Sequence, residues 1–177
     1  MHVRTVTLTK LNELPKLSGL VLLIGPPGSG KSTFAKKMII QQKMEEESYI
    51  SNDKIAKELF NVTVGRRDKD GEIFAEQDRR IAMQLAANKV AVVDATNVKL
   101  GARQRLLAIA RKYDAPTTAI CFRRDVATLL RQNKGREVEV PEGMVLEYAD
   151  LMRQATPTKL HNEGIELTVE VADNIEL

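Results

Sequence analysis

Apolar residues fall along this chain in short uninterrupted blocks, separated by longer stretches in which they recur every three or four positions. The blocks read as strands and the stretches as amphipathic helices. Strands are predicted at residues 3–8, 20–24, 49–51, 90–95, 117–122 and 165–171. The first and last alternate apolar with polar positions, whereas 20–24 is apolar throughout, as in a parallel sheet covered on both faces. Helices are predicted at 34–40, 54–59, 72–88, 99–113, 126–130 and 142–154, with Asp125 as the cap of the fifth and Pro141 at the start of the sixth. Between them lie a linker at 12–19, a turn-rich charged loop at 61–71 and a basic irregular segment at 133–140. Strands separated by helices imply βαβ units and a mostly parallel sheet.

One junction carries more than fold information. Residues 25–33 read Gly-Pro-Pro-Gly-Ser-Gly-Lys-Ser-Thr, directly after the first fully apolar block and directly before a helical pattern. This is the spacing of a phosphate-binding loop, in the strand-to-helix context the motif requires. Gly28 and Gly30 allow close backbone approach, the N–H groups of Ser29, Gly30 and Thr33 are placed to form an anion nest, and the following helix adds its positive dipole end. Lys31 is expected to reach the β- and γ-phosphates of ATP or another nucleoside triphosphate, and the Ser32 hydroxyl to ligate Mg²⁺. The alternative, a glycine turn that binds nothing, would not call for the Lys-Ser pair.

Composition narrows the class. The chain has 177 residues, 43% hydrophobic and 29% charged, which suits one domain with a proper core. No apolar run approaches the roughly 20 residues that span a bilayer, and the N-terminus lacks a signal-peptide core, so a cytoplasmic location is expected. Cys121 lies alone in an apolar run and reads as a buried inert thiol. His2 and His161 have no ligand spacing. The net charge is +3, but residues 103–136 hold nine basic residues against two acidic ones. Such a basic half suits a polyanion; it also suits a solvated helical surface.

In an open parallel sheet, ligands sit beyond the carboxyl ends of the strands. Besides the phosphate loop, three groups occupy such positions: Asp53, the run Asp94-Ala-Thr-Asn97, and Arg123 with Arg124. Asp53 reads either as a helix cap or as a general base for an attacking hydroxyl. Asp94 reads either as an acid ending a strand or as a Mg²⁺ holder acting through water. Arg131 and Arg136 flank a Gln-Asn-Lys-Gly segment, read either as a surface loop or as a lid at 131–140 that brings guanidinium groups onto a transferring phosphate. The Asp68-Lys-Asp-Gly-Glu run, which looks superficially like a phosphatase signature, lacks the preceding apolar strand and reads as solvated loop.

Together the phosphate loop with Phe34-Ala-Lys-Lys, the run Ile50-Ser-Asn-Asp53, and Val92-Val-Asp-Ala-Thr-Asn-Val98 with the helix after it resemble the 5′-hydroxyl polynucleotide kinases of bacterial and phage RNA repair. Arg131, Arg136 and Val140-Pro141 are similar to that family's arginine-rich lid. The resemblance runs from Leu20 to about Gln154. It implies an α/β fold of the P-loop kinase, adenylate-kinase-like type: a three-layer sandwich, one domain over 1–177, with an arginine-bearing lid. It further implies ATP and Mg²⁺ handled by Lys31 and Ser32, Asp53 as base toward the 5′-hydroxyl of a nucleic acid, and a lid arginine on the transferred charge. The family's usual acceptor-gripping arginine is replaced by Ala56, and Gly135 stands where a lid arginine is common. Arg103, Asn97 and Lys54 are therefore the expected acceptor contacts. Two other readings remain open at this level: a kinase of similar fold acting on a nucleoside or antibiotic, and a nucleotide-binding switch or ATPase, which the lack of an acid after Asp94 disfavours.

Overall fold

The computed structural model describes residues 3–62 and 67–177. The readings of His2 and of positions 63–66 in the charged loop lie outside the described residues. Six parallel strands form one sheet: β1 (Thr5–Lys10), β2 (Leu20–Ile24), β3 (Tyr49–Ser51), β4 (Ala91–Asp94), β5 (Thr117–Cys121) and β6 (Leu167–Glu176), in the order β1-β6-β5-β2-β4-β3. After β4 the chain crosses to the far side of β2. This reversal of direction opens the crevice in which α/β sheets bind ligands. The helices are α1 (Lys31–Gln41), α2 (Asn52–Phe60), α3 (Asp70–Ala86), α4 (Leu100–Lys112), α5 (Val126–Lys134), α6 (Glu142–Gln154) and α7 (Pro157–Glu163).

The two faces of β2 explain the three layers. Leu20, Leu22 and Ile24 face a core built with Ile55 of α2, Ile81 and Leu85 of α3, Leu106 and Leu107 of α4, and Leu160 of α7. Val21 and Leu23 point the other way, to Phe34 and Met38 of α1 and to Leu11, Leu14 and Leu17. A strand period of two sends neighbouring side chains to opposite faces, so an all-apolar strand must be covered twice. The segment at 12–19 is thus more than a linker: its leucines finish the α1 layer. No helix among the described residues is long and apolar enough to cross a membrane.

The charged loop read at 61–71 ends early, because Arg67–Lys69 form a 3-10 turn and α3 starts at Asp70. The lid read at 131–140 is also redrawn. Arg131 lies inside α5, and only residues 135–141 join it to α6. That connection is closed by a clamp in which Asn133 Nδ2 donates to the Val140 carbonyl at 2.8 Å and the Val140 N–H donates to Asn133 Oδ1 at 3.0 Å.

Much of the basic half turns out to be internal. Arg123 forks onto Glu170 and donates to the Met152 carbonyl, tying α6 to β6. Arg124 bonds Asp173 and the Val171 carbonyl, and Arg105 bonds Asp78 and Gln77. Arg103 is 4% exposed; Nε and Nη2 donate to the two carboxylate oxygens of Glu163 at 2.8 Å each, and Nη1 to the carbonyls of Asn97 and Val98. The expectation that Arg103 grips an acceptor is corrected: its donors are spent inside the protein, fastening α7 to the start of α4.

Removing one partner of a buried pair strands the other. Arg103→Ala is expected to cost about 3–5 kcal/mol of stability, read by urea denaturation. A loss of about 0–1 kcal/mol, the range of an exposed pair, would show that Glu163 is readily hydrated.

Candidate active site

The phosphate loop reverses between β2 and α1 through two left-handed residues, Gly28 at φ +81° and Gly30 at φ +94°. A Cβ on Gly28 would also lie 3.1 Å from the Leu129 carbonyl oxygen and 3.3 Å from the Asn133 nitrogen, so α5 packs directly on the loop. Gly30 takes the N-cap position of α1, leaving that helix's first N–H groups aimed into the loop. Ser29 is buried and its hydroxyl turns inward, where it accepts from Lys31 Nζ at 3.4 Å. Thr33 is exposed in the first turn of α1.

Lys31 is itself buried. Its ammonium donates to the carbonyls of Gly25 and Pro26 at 2.9 Å each. Burial lowers its pKa to about 8; Asp94 and Asp53 oppose the shift and Arg136 adds to it. All three charges therefore lie within electrostatic reach of the Lys31 ammonium. Asp94, at the carboxyl end of β4, accepts from Ser32 Oγ on Oδ2 at 2.8 Å, and the same oxygen accepts from the Tyr49 hydroxyl. Burial, reinforced by the Asp94 charge, raises the Tyr49 phenol far above its usual range and keeps it a donor.

Asp53 is released from the capping role left open for it. Ser51 caps α2, accepting from the Lys54 N–H at 3.3 Å, and Asp53 is the second residue of the helix. Its carboxyl keeps contact with solvent at the rim. Burial still lifts it above the usual carboxylate range, the Asp94 charge lifts it further, and Arg136 and Lys31 pull it partly back. A carboxylate so raised is a stronger proton acceptor. Asn52, beside it, is fixed from α3 by Gln77, a buried side chain whose Nε2 donates to Asn52 Oδ1 at 2.6 Å.

Of the residues singled out from the sequence, the fold brings Lys31, Ser32, Asp53, Asp94 and Arg136 around one loop. It gives Arg131 and the expected acceptor contacts other partners. Arg131 is exposed and reaches Thr128 Oγ1 at 3.4 Å, on its own helix. Lys54 pairs with Glu46 at the surface. Asn97, expected on the acceptor, is corrected in the same sense as Arg103: buried at φ +50°, it donates to the Leu23 carbonyl at 2.8 Å and locks the ends of β2 and β4 together. Ala56 faces the main core, so an arginine at that position could not reach the rim without disturbing the packing. Cys121 is fully buried and its thiol is pushed up to about 12, in keeping with an inert role. Tyr49, Ser51 and Gln77 were missed; for Ser51 the signal was present in its position before a helical run.

Comparison with known proteins agrees with this architecture. A family model described as an AAA domain matches residues 20–156. Among solved structures, a chain of the Pnkp1/Rnl/Hen1 RNA repair complex superposes with a TM-score of 0.67 at 21% identity, over 81% of this chain and 46% of that one. This chain thus spans less than half of its counterpart in that complex. A gluconokinase from Sinorhizobium meliloti 1021 gives 0.60 at 16% identity, over 90% and 86% of the two chains. Chaetomium thermophilum Kti12 in complex with ADP-AlF3 gives 0.63 at 16% identity, over 87% and 89%. At these identities the structures share the fold, the α/β sandwich of P-loop kinases. The match over residues 20–156 goes further than fold, and by it the chain belongs to the AAA domain family.

Proposed function

We propose that the chain is an ATP-dependent kinase that phosphorylates the 5′-hydroxyl end of a polynucleotide. The observation that carries the phosphotransferase part is the loop itself: a buried Lys31 held on the Gly25 and Pro26 carbonyls beside the Ser32–Asp94 contact, with Asp53 unused as a cap at the start of the neighbouring helix. The polynucleotide part is supported by the sequence resemblance and by the likeness to the RNA repair complex.

The loop N–H groups and Lys31 bind the β- and γ-phosphates of ATP, the ammonium exchanging its loop carbonyl contacts for phosphate oxygens. Ser32 and Asp94, a hydroxyl and a carboxylate already in contact, are the hard oxygen donors that Mg²⁺ prefers, with Asp94 acting through water. Mg²⁺, when bound, neutralises charge on the phosphate oxygens. Asp53 accepts the proton of the acceptor hydroxyl while its oxygen bonds to the γ-phosphorus and the bridging oxygen leaves with ADP. Arg136 stabilises charge on the transferring group.

A second reading has its own support. With Arg103 and Asn97 internal and Ala56 in the core, few groups are left to hold an acceptor's phosphate, and the fold overlaps a gluconokinase over 86% of that chain. A small-molecule hydroxyl is the acceptor in that case. Incubation with γ-labelled ATP and a panel of 5′-hydroxyl RNA and DNA oligonucleotides, nucleosides and gluconate separates the readings. Transfer to oligonucleotides with a kcat/KM above that for nucleosides and gluconate is expected, and the reverse order would replace the polynucleotide assignment.

Lys31→Ala is expected to abolish transfer without unfolding the chain; wild-type turnover at saturating ATP would sink the assignment. Asp53→Asn should lower kcat by about 10²-fold or more, with ADP affinity retained. The pH dependence follows from the two shifts. A base must be ionised, so in wild type kcat/KM should rise with pH through a pKa above the usual value of about 3.9, a limb that Asp53→Asn removes. Lys31 must be charged, so kcat/KM for ATP should fall again as pH passes about 8.

The two arginines should separate cleanly. Arg136→Ala is expected to reduce kcat by about 10²-fold, the usual cost of losing one aimed donor, and Arg131→Ala far less. Equal losses would show that α5 turns Arg131 inward when substrate binds.

A further inference from the structure

The reaction above makes no use of Tyr49, yet its hydroxyl donates to Asp94 Oδ2, the oxygen that also accepts from Ser32. Tyr49 opens β3 and lies in register with Val92, two residues before Asp94 on the adjacent β4. The phenol therefore extends along the sheet toward the carboxyl ends of the strands. Its ring packs against the α1-side core, leaving the hydroxyl at the polar end of an apolar layer.

Two partners compete for Asp94. Its charge is felt by the Lys31 ammonium, although that group hydrogen-bonds to the Gly25 and Pro26 carbonyls instead. An ammonium attracts a carboxylate more strongly than a hydroxyl does, because both members of that pair carry a full charge. A carboxylate held only by Ser32 would be drawn toward the lysine. That movement would take the ammonium away from phosphate and the acid away from the serine in one step. Two hydroxyl donors on a single carboxylate oxygen oppose it. They also fix the serine: with its proton committed to Asp94, Ser32 Oγ can present only lone pairs to a cation.

We infer, on the kinase reading above, that Tyr49 is a positioning residue: its hydroxyl holds Asp94 on Ser32, so that Ser32 faces Mg²⁺ as an acceptor and Lys31 stays free for phosphate. The assignment concerns a residue outside the phosphate loop and outside the runs at 50–53 and 92–98 that carry the family resemblance. It acts through Asp94 and touches no reacting atom.

Tyr49→Phe tests it, because the ring and its packing remain and only the hydroxyl goes. ADP binding is measured by calorimetry, once in EDTA and once with saturating Mg²⁺. Affinity in EDTA should match wild type, while the gain in affinity brought by Mg²⁺ should fall about 10-fold or more, as for outer groups that orient a metal ligand. The Mg²⁺ concentration for half-maximal transfer should rise and the acceptor KM should hold. In an Asp94→Asn background the same substitution should add no further loss, a comparison that stands even if one single variant is destabilised. A Mg²⁺ gain equal to that of wild type, an equal loss of ADP affinity with and without Mg²⁺, or full additivity with Asp94→Asn would each overturn the inference. Wild-type protein whose ADP binding ignores Mg²⁺ would overturn the kinase reading together with it, which separates the two failures.

Discussion

A buried cation at the turn out of β2 is the constraint around which the site is arranged. An unpaired ammonium in a protein interior loses its hydration and tends to lose its proton. Lys31 limits that loss by bonding two loop carbonyls and by lying in the field of Asp94 and Asp53. Between those carbonyls and the lysine the loop turns through Gly28 and Gly30, which adopt left-handed backbone that other residues rarely take. The carboxylates can surround it only because β3 and β4 both end on the same side of β2. A nucleoside triphosphate is the natural complement of such a cation, whose present partners are neutral carbonyls that phosphate oxygens outmatch.

The same need to compensate charge explains why the basic half of the chain gives less basic surface than its composition suggests. Arg103, Arg105, Arg123 and Arg124 each meet a carboxylate, and three of them also donate to backbone carbonyls. These arginines act as fasteners between distant segments, where the planar fork of guanidinium matches a carboxylate. What remains for a polyanion is split between Arg111 and Lys112 at the end of α4 and, closer to the loop, Arg131, Lys134 and Arg136 near the α5 to α6 connection.

The sheet was legible because its evidence is local. The strand at 20–24, the short strand at 49–51 and the helix at 142–154 agree with the structure residue for residue, each bounded by glycine, polar or proline signals. The helix α7 was overlooked although Thr156-Pro157 is a recognisable start, with Thr156 accepting from the Lys159 N–H. The places of the phosphate loop, Asp53 and Asp94 at the carboxyl ends of strands were equally readable, since each lies at or just after the end of an apolar block. The roles of Arg103 and Tyr49 were not. Their partners, Glu163 and Asp94, lie 60 and 45 residues away, and nothing in the local pattern of either residue says whether its polar end meets water or protein.

One feature of the sheet bears on how the chain reaches this state. β1 is an edge strand that pairs in parallel with β6, Thr5 opposite Thr168, so the first strand of this sheet in chain order depends on the last. Parallel pairing across such a span closes a very long loop before any contact rewards it, which slows folding and leaves the strand exposed meanwhile. The central βαβ units can assemble during synthesis without it. Completion of the sheet then waits for residues 167–176, and the alternating polar positions of β1, with threonine at 5, 7 and 9 and lysine at 10, keep the waiting strand from becoming a sticky edge.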